Sequence, residues 1–340
     1  MRIQSVLILI ASIFVIFAGL KAANSIIVPF ALATFIAIVI SPALTALEKV
    51  AIPKAISFVL VIGCFIFFLG FIGNVTVTTM FDFLGQLPDL SKRFNALLET
   101  WTAKLGDSEF SDMIILNQSM FSIESNKIIA TTSSLVKTTS GVLSMWFFIL
   151  ILVAFMLFET AILKDKVAYL NKTYPKATLF TNTFIGHLKK YLLVKTIVSI
   201  LTGSFIGLGL WYLEIPYALL WGIVAFILNY IPTIGSFVAA IPAVILSLIV
   251  ADFATTFWVI VVYLIPNTIL GTILEPRIVG EELGLSTIVV LFSLLLWGYI
   301  LGIGGLFLAV PLTMSIQIAL LINPKTEFIA VILSNKVEKQ

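Results

Sequence analysis

Apolar residues run along this chain in stretches that are long enough to cross a lipid bilayer as helices. A helix needs about 20 apolar residues to span a hydrocarbon core of about 30 Å. Backbone N–H and C=O groups in lipid must be hydrogen-bonded within the chain, so these stretches are predicted to be α-helices. Six stretches have the full length, namely 3–20, 26–47, 54–73, 142–163, 196–213 and 254–274.

Two further apolar stretches, 216–250 and 286–321, are interrupted near their middle by glycine and proline. The first break is Ile231-Pro232-Thr233-Ile234-Gly235-Ser236, and the second is Gly302-Ile303-Gly304-Gly305. The arms of the first stretch have about 15 residues, or roughly 22 Å at 1.5 Å per residue, which is short of a full crossing. Each stretch is predicted to be either a pair of short spans or one re-entrant helical hairpin, and the arm length favours the hairpin.

Lysine and arginine set the predicted orientation, because cytoplasmic loops of membrane proteins carry an excess of both. The region 74–140 has five basic and seven acidic residues, a net charge of −2. The sequence therefore predicts cytoplasmic N and C termini, with 74–140 on the opposite side of the membrane. The segment 164–195, on the cytoplasmic side, has seven lysines: Lys164, Lys166, Lys172, Lys176, Lys189, Lys190 and Lys195.

The polar region 74–140 also contains an apolar helical face, formed by Phe94, Leu97, Leu98, Trp101 and Leu105. We interpret the region as an extracytoplasmic helical cap on the membrane, with a docking surface for a partner as the alternative. The basic stretch 176–195 has a similar face, formed by Phe180, Phe184, Leu188 and Leu192, and is predicted to lie in the cytoplasmic interface near anionic lipid.

These features predict an all-α polytopic membrane protein with about six full transmembrane helices and two broken hairpins, or eight to ten spans if the breaks separate full crossings. The predicted regions are the N-terminal transmembrane helices 1–73, the polar insert 74–140, a transmembrane helix with the basic interfacial helix 141–195, a transport domain 196–322 and a cytoplasmic tail 323–340.

Composition supports a membrane protein and excludes several other classes. The chain is 60% apolar and 11% charged, whereas a soluble domain has about 25% charged residues. Its net charge of +3 is too small to indicate nucleic acid. One cysteine, Cys64, and one histidine, His187, exclude an intrachain disulfide and argue against a zinc site. Motifs of ATP-binding loops, serine hydrolases and zinc proteases are absent, so we predict neither an enzyme nor a bound cofactor or metal.

The two interrupted stretches share a sequence pattern. Each follows one full span, and one crossing separates them, so the pattern predicts an inverted repeat of a span plus a hairpin. Inverted repeats with broken helices are typical of secondary transporters, whose substrate sites lie near the membrane midplane. Chance similarity between two apolar stretches is the alternative. Both copies have Leu-Leu-Trp-Gly, at 219–222 and 295–298, followed by I-G-x-x-x-x-A-[IV]-P at 234–242 and 303–311.

Polar and small residues near the breaks are the candidates for a substrate pathway. Broken helices free backbone groups that must be buried in protein or line a wet cavity, and these groups can hold a polar solute. The alternative is that the side chains satisfy the freed backbone groups. We predict the pathway residues Asn229, Tyr230, Pro232, Thr233, Gly235, Ser236, Asn267, Gly304 and Gly305.

Charged and aromatic residues at the span ends are also candidates. Glu275 is predicted to be a gating or proton-coupled carboxylate with Arg277 as its counter-charge, or else the two residues form an interfacial anchor. Lys195 is predicted to lie at a cytoplasmic span end where water solvates it. Trp221 and Trp297 are predicted to belong to the interfacial aromatic belt.

Three motifs resemble the autoinducer-2 exporter family, also described as PerM-type permeases. They are Asn229-Tyr230-Ile231-Pro232-Thr233-Ile234-Gly235-Ser236 with Ala239-Ala240-Ile241-Pro242, Glu275-Pro276-Arg277-Ile278-Val279-Gly280 with Leu283-Gly284-Leu285-Ser286, and Trp297-Gly298 with Gly302, Gly304 and Ala309-Val310-Pro311-Leu312. The resemblance covers the whole chain in layout, and its specific motifs lie within about 216–313.

The resemblance implies a small-molecule exporter of the bacterial inner membrane that forms a homo-oligomer, with a pentamer expected, and that moves its hairpin region in an elevator-like manner. The function predicted first is export of a small polar organic molecule, such as autoinducer-2, driven by an ion gradient. A sodium/proton antiporter is the first alternative, since some members of the family resemble such antiporters. A non-transporting envelope scaffold that uses 74–140 as its interaction surface is the second.

Overall fold

The computed structural model describes residues 3–105, 144–173, 175–232, 234–279, 285–321 and 325–334. These residues form helices and one isolated bridge between Leu285 and Ser334, which confirms the predicted all-α fold of a polytopic membrane protein. The helices are α1 (Ile3–Ala22), α2 (Asn24–Lys49), α3 (Lys54–Leu105), α4 (Ser144–Phe158), α5 (Thr160–Thr173), α6 (Pro175–Tyr212), α7 (Ala218–Leu228), α8 (Ile234–Val250), α9 (Phe253–Pro266), a π-helix (Asn267–Leu274), α10 (Glu275–Val279), α11 (Thr287–Leu321) and α12 (Glu327–Leu333).

Five helices in the described part of the chain are long and apolar enough to cross a membrane: 24–49, 54–100, 185–212, 253–274 and 287–321. Helix α3 has 52 residues, or about 78 Å at 1.5 Å per residue. It runs without a break across residue 73, where the predicted polar insert begins. The part of α3 beyond residue 73, which is more than half of its length, therefore continues the same helix.

The chain forms two compact units, each assembled from separate stretches of sequence. The first unit contains Met1–Ile66, Met145–Ile197 and Leu274–Gln340, and the second contains Phe67–Ser144 and Val198–Ile273. In the first unit, apolar faces of α2 and α4 pack together, and those of α6 and α11 form another core. In the second unit, α7, α8 and α9 pack against the C-terminal half of α6.

The first hairpin, α7 with α8, belongs to the second unit. Helix α7 has 11 residues, or about 16 Å, which is half of the distance across a hydrocarbon core of about 30 Å. Pro232 has no N–H to continue the helical hydrogen bonds, and α8 starts two residues later. Gly235 then lies against the main-chain carbonyl of Leu228, at a distance where no side chain fits. The short arm supports the re-entrant hairpin over a pair of full spans.

The second hairpin is α11, which folds back on itself inside the first unit. Gly302 has φ 66° and ψ −149°, a backbone conformation open to glycine and closed to most other residues. Trp297 Nε1 donates a hydrogen bond to Thr313 Oγ1 at 3.0 Å. Sixteen residues of straight helix would separate these groups by about 24 Å, so the two arms must lie side by side. The predicted break at 302–305 is confirmed.

The tip of the second hairpin reaches the turn between α1 and α2. Gly304 packs against the Val28 side chain, one turn into α2. Lys21 Nζ, at the end of α1, lies 3.6 Å from the centre of the Tyr299 ring, which is a cation–π contact. The tip of the second hairpin therefore lies at the turn between α1 and α2.

Both tryptophans of the repeated pattern are buried, which corrects the prediction that they belong to the aromatic belt. Trp221 is 5% exposed and Trp297 is 6% exposed. Trp221 Nε1 donates to the Pro216 carbonyl at 3.2 Å, and Phe83 of α3 packs edge-on against its ring. The tryptophans fill the interior of the hairpins because each finds an acceptor there for its indole N–H.

Replacing Trp297 with phenylalanine tests the clasp between the two arms of α11. Trp297→Phe keeps an aromatic ring but leaves the Thr313 hydroxyl without its donor, and is expected to lower the free energy of unfolding by about 1 to 2 kcal/mol. Thermal unfolding in detergent measures the change. Trp211→Phe, at an indole that is mostly exposed, is the control and should leave stability unchanged. Equal stability of the two variants would contradict the clasp.

The C-terminal helix α12 packs on α11 in the first unit. Ser286 N–H donates to the Leu333 carbonyl at 3.0 Å, and the Gln317 amide donates to the Ala330 carbonyl at 3.5 Å. The tail therefore holds the base of the second hairpin. Gln317 thus links α11 to α12.

Candidate functional site

A buried ion pair joins α6 to the start of α10 in the first unit. Lys195 Nζ donates to Glu275 Oε1 at 2.9 Å and to Oε2 at 3.0 Å. The lysine side chain is 6% exposed and the glutamate side chain is 14% exposed. Both carboxylate oxygens accept a charge-assisted hydrogen bond from one ammonium, an arrangement that holds both side chains in a single geometry.

Helix α6 buries Lys195 because the lysine continues an apolar face. Leu188 and Leu192 precede it at spacings of seven and three residues, and both pack in a core with Val310 and Met314 of α11. Two predictions are corrected here. Lys195 is enclosed rather than solvated, and the Leu188–Leu192 end of the basic stretch faces protein instead of the lipid interface. The side chains of Phe180 and Phe184 lie outside the described residues.

Glu275 is placed by an unusual helix. The π-helix Asn267–Leu274 leads directly into α10, whose first residue is Glu275. π-Helices are rare and tend to occur at functional sites. Each one inserts extra residues into the register of the helix. One residue of register rotates the downstream side chains by about 100° around the helix axis. The helical register therefore changes immediately before Glu275.

Arg277 is not the counter-charge of Glu275, which corrects that prediction. The Arg277 side chain is exposed, and Lys195, 80 residues away in sequence, holds the carboxylate. Residues two positions apart on a helix do not face each other, so the side chains of Glu275 and Arg277 point in different directions. Arg277 remains a candidate for gating, while the ion pair belongs to Lys195.

A buried ion pair is weak evidence for stability and stronger evidence for function. Removing two charges from water costs several kcal/mol each, and apolar residues of similar size often stabilise such a site as well or better. Ionisable residues inside membrane proteins are rare and mark ion pathways and proton relays. Among the buried residues of the described chain, Lys195 is the single charged one. It is the strongest candidate for chemistry in the described residues.

The tip of the first hairpin carries neutral polar groups. The Asn229 side-chain amide donates to Ser199 Oγ at 3.0 Å, and both residues are buried. The Tyr230 ring packs edge-on against Phe226. Pro232 and Ser236 are half-buried, and Gly235 lies against the Leu228 carbonyl. Thr233 lies outside the described residues.

Four buried hydroxyls of the second unit have no hydrogen-bond partner among the described residues, namely those of Thr76, Thr202, Tyr217 and Tyr263, and neither has the Asn95 amide oxygen. Two of these residues, Thr202 on α6 and Tyr263 on α9, are nearly fully buried. An unpaired buried hydroxyl costs about 1 to 3 kcal/mol. With Ser199 and Asn229, they give this unit a buried set of polar groups that is entirely neutral.

The Asn267 side chain satisfies a backbone group, which is the alternative considered for the pathway residues. Its amide donates to the Tyr263 carbonyl at 2.7 Å, while its own backbone N–H bonds to the Leu264 carbonyl instead. The side chain thus satisfies a carbonyl that the change from α-helix to π-helix releases. Asn267 secures the beginning of the π-helix.

Gly304 and Gly305 are contact points of the second hairpin. Gly305 lies against the main-chain carbonyl of Trp297, as Gly235 does against that of Leu228 in the first hairpin. The sequence pattern aligned Gly235 with Gly304, so the structural equivalence is displaced by one residue. Both copies of the repeated pattern close their arms on a glycine, which supports the repeat.

Sequence reasoning missed Lys195, Ser199 and Thr202. The signal for Lys195 was present, because a lysine that continues the spacing of Leu188 and Leu192 must share their buried face. In the described part of the chain, His, Cys, Asp and Glu side chains form no group of three or more that could hold a metal ion. The candidate chemistry is therefore that of the ion pair and of neutral hydrogen-bonding groups.

Comparison with known proteins identifies relatives along nearly the whole chain. The family model of the AI-2E family transporter matches residues 6–323. A Haemophilus influenzae protein, provisionally named as a transport protein, is 34% identical over 334 residues, which cover 96% of this chain and 95% of the relative. The AI-2 transport protein TqsA of Escherichia coli is 32% identical over 337 residues, covering 97% and 95%. YrrI of Bacillus subtilis, also provisionally named as a transport protein, is 26% identical over 316 residues, covering 88% and 86%.

Proposed function

The chain belongs to the AI-2E family of transporters, and from this membership we propose that it is a secondary exporter of a small polar organic molecule, driven by an ion gradient. Autoinducer-2 is the proposed solute, because the name of the relative TqsA gives AI-2 as the molecule transported. The proposal places the protein in the bacterial inner membrane with both termini in the cytoplasm and assembles it as a homo-oligomer, with a pentamer expected.

The ion pair between Lys195 and Glu275 is the observation that carries the proposal. A gradient-driven transporter needs a group whose charge changes as the coupling ion binds and leaves. A nearly enclosed ammonium–carboxylate pair meets this need, since neither group is stable as a charge without the other or a substitute. The position of Glu275 directly after a π-helix supports movement of the carboxylate between two directions.

The neutral polar groups of the second unit support a polar and uncharged solute. The proposed pathway includes the residues near the first hairpin tip and the π-helix, together with Gly304 and Gly305 of the second hairpin. Hydroxyl and amide groups hold such solutes through hydrogen bonds without burying another charge. The pathway residues proposed in full are Asn229, Tyr230, Pro232, Thr233, Gly235, Ser236, Asn267, Gly304 and Gly305.

Inverted membrane vesicles test export, because export from the cell corresponds to uptake into such vesicles. Wild-type vesicles are expected to take up autoinducer-2 when a proton gradient is imposed. Glu275→Gln keeps the size of the side chain and removes its charge, and is expected to lower gradient-driven uptake at least about tenfold, the change that 1.4 kcal/mol produces. Glu159→Gln, at an exposed glutamate, is the control and should transport normally.

Two outcomes would contradict the proposal, each at a different level. Full gradient-driven uptake by Glu275→Gln would remove Glu275 from coupling and leave the exporter in place. If wild-type vesicles took up no autoinducer-2 under any gradient, autoinducer-2 would be excluded as the transported solute.

A sodium/proton antiporter is the second candidate, and the ion pair itself favours it. Na⁺ can replace an ammonium beside a carboxylate, which would make Glu275 a cation site. Asp252 is a poor alternative site, because it caps α9 and accepts the Thr255 N–H at 2.8 Å. Hydrogen bonds from Thr255 hold the pKa of the exposed Asp252 carboxyl below its usual value. Movement of protons on addition of NaCl to proteoliposomes, with no autoinducer-2 present, distinguishes the antiporter.

A further inference from the structure

The hydroxyl of Thr202 differs from those of two other buried residues in the second unit. A serine or threonine inside a helix can donate to the carbonyl three or four residues earlier. Ser247 and Thr256, which are also buried, do so with bonds of 2.8 and 3.1 Å to carbonyls of the preceding turn. Thr202 is 1% exposed, and its hydroxyl has no partner among the described residues. Such a hydroxyl lowers stability unless a ligand or another conformation gives it a partner.

Two further polar side chains lie close to Thr202, at the tip of the first hairpin. Ser199 precedes Thr202 by three residues on α6, so the two side chains share one face of the helix, with β-carbons about 5 to 6 Å apart. The Asn229 amide, directly after α7, donates to Ser199 Oγ at 3.0 Å. A side chain on Gly203 would overlap the main chain of Gly222, so α7 lies directly along α6. Three hydrogen-bonding side chains are thus gathered where α7 ends.

These side chains lie near the middle of the membrane. Helix α7 has 11 residues, so its tip is about 16 Å from its base. Thr202 lies about 15 Å before Tyr212, where α6 ends, at 1.5 Å per residue. Both lengths are about half of a hydrocarbon core of about 30 Å. Secondary transporters bind their solutes at this depth.

The absence of charge around these side chains limits the kind of molecule that they can bind. A charged solute would lose its hydration there without gaining a counter-charge, which costs far more than burying a hydroxyl group. A solute hydroxyl both donates and accepts hydrogen bonds, so it matches hydroxyl and amide side chains equally well. In the described chain, the buried polar residues of the second unit are all neutral: Ser199, Thr202, Asn229, Ser247 and Thr256.

We infer that Ser199, Thr202 and Asn229 bind the hydroxyl groups of an uncharged solute of about monosaccharide size. The inference rests on the proposed transport function and specifies the chemical class of the solute and two further residues, Ser199 and Thr202, that hold it. All three residues are buried in this conformation, so the tip of the first hairpin must move away from α6 before a solute enters. The solute then replaces the hydrogen bond between Asn229 and Ser199 and gives the Thr202 hydroxyl a partner.

Thr202→Val tests the inference, because it removes the unpartnered hydroxyl and keeps the shape of the side chain. The variant is expected to unfold in detergent at the temperature of the wild type or above it, since an unpaired buried hydroxyl destabilises the fold. Its KM for uptake of autoinducer-2 into inverted vesicles should nevertheless rise about tenfold, because one hydrogen bond to the solute is lost. Thr256→Val, which removes a hydroxyl with a partner in its own helix, is the control and should leave KM unchanged.

Labelling of a cysteine tests access to Thr202 without depending on one solute. Cys64 is the one cysteine of the chain, so Thr202→Cys in a Cys64→Ala background leaves a single thiol. A small water-soluble thiol reagent is expected to label it, because the hairpin tip must open to water when a solute enters. Autoinducer-2 should slow the labelling. Ser247→Cys in the same background, at a position that is equally buried, should stay unlabelled.

Three results would overturn the inference and leave export standing. They are a wild-type KM in Thr202→Val, a Thr202→Cys thiol that the reagent never reaches, and stronger protection of that thiol by the carboxylate D-ribonate than by D-ribose, which is uncharged. If wild-type vesicles took up no autoinducer-2, the proposed solute would be excluded instead. Labelling of Thr202→Cys and its protection by D-ribose would then still support the three side chains as a binding site for hydroxyl groups.

Discussion

Gly235→Ala is expected to prevent the arms of the first hairpin from closing. A methyl group on Gly235 would overlap the carbonyl oxygen and carbon of Leu228, which are main-chain atoms and cannot rotate away. The α7 and α8 arms would have to separate, so the free energy of unfolding should fall by about 2 to 3 kcal/mol, at the upper end of the usual range for overpacking. Thermal unfolding of the purified protein in detergent measures the loss.

The second hairpin offers matched variants for the same measurement. Gly305→Ala meets the Trp297 main-chain carbonyl and should be as damaging as Gly235→Ala, whereas Gly304→Ala meets side-chain atoms of Val28 and should be less damaging. Gly73→Ala, with no atom within 4 Å of the added carbon, is the control and should be neutral or slightly stabilising, as helix propensity predicts. If Gly304→Ala lowered the free energy of unfolding more than Gly305→Ala does, that result would contradict the structural correspondence of Gly305 with Gly235.

The hairpins illustrate how far local chemistry predicts the fold. Glycine and proline in apolar stretches report directly on backbone geometry, so the breaks near Pro232 and Gly302 were predictable from the sequence. The role of Gly305 was not, because the pattern aligns Gly304 with Gly235 and leaves Gly305 at a position that any residue can occupy. It depends on which α-carbon approaches the Trp297 carbonyl, and that contact exists only after the arms have folded together.

The partner of Glu275 and the burial of the two tryptophans could not be predicted from local sequence. Glu275 was predicted as a coupling residue, but the nearest cation in sequence, Arg277, was assigned as its partner instead of Lys195. Tertiary packing places Lys195 beside Glu275, although the two residues are 80 positions apart in sequence. Rules based on the spacing of nearby residues cannot predict such a contact. Trp221 and Trp297 were assigned to the interfacial aromatic belt, whereas the folded hairpins bury them and provide acceptors for their indole N–H groups.

Removing either partner of the ion pair alone is expected to destabilise the protein more than removing both. Lys195→Met leaves a mostly buried carboxylate without its cation, and Glu275→Leu leaves the more deeply buried lysine without its anion. Each single variant should lose about 3 kcal/mol or more of stability, the usual cost of breaking a buried pair. The double variant Lys195→Met/Glu275→Leu leaves no buried charge in the pair and should recover most of that loss, because apolar replacements of similar volume are often neutral.

Transport by the double variant then separates a structural pair from a coupling pair. If the pair were only structural, a stable double variant would still export autoinducer-2 under a proton gradient. The coupling role requires the opposite result, since methionine and leucine neither bind a proton nor attract a solute. We therefore expect a folded protein, with unfolding close to that of the wild type, in which a proton gradient no longer drives uptake into inverted vesicles. A double variant as unstable as the single ones would show that the two charges do not stabilise each other, and one that remained coupled would place the proton at another residue.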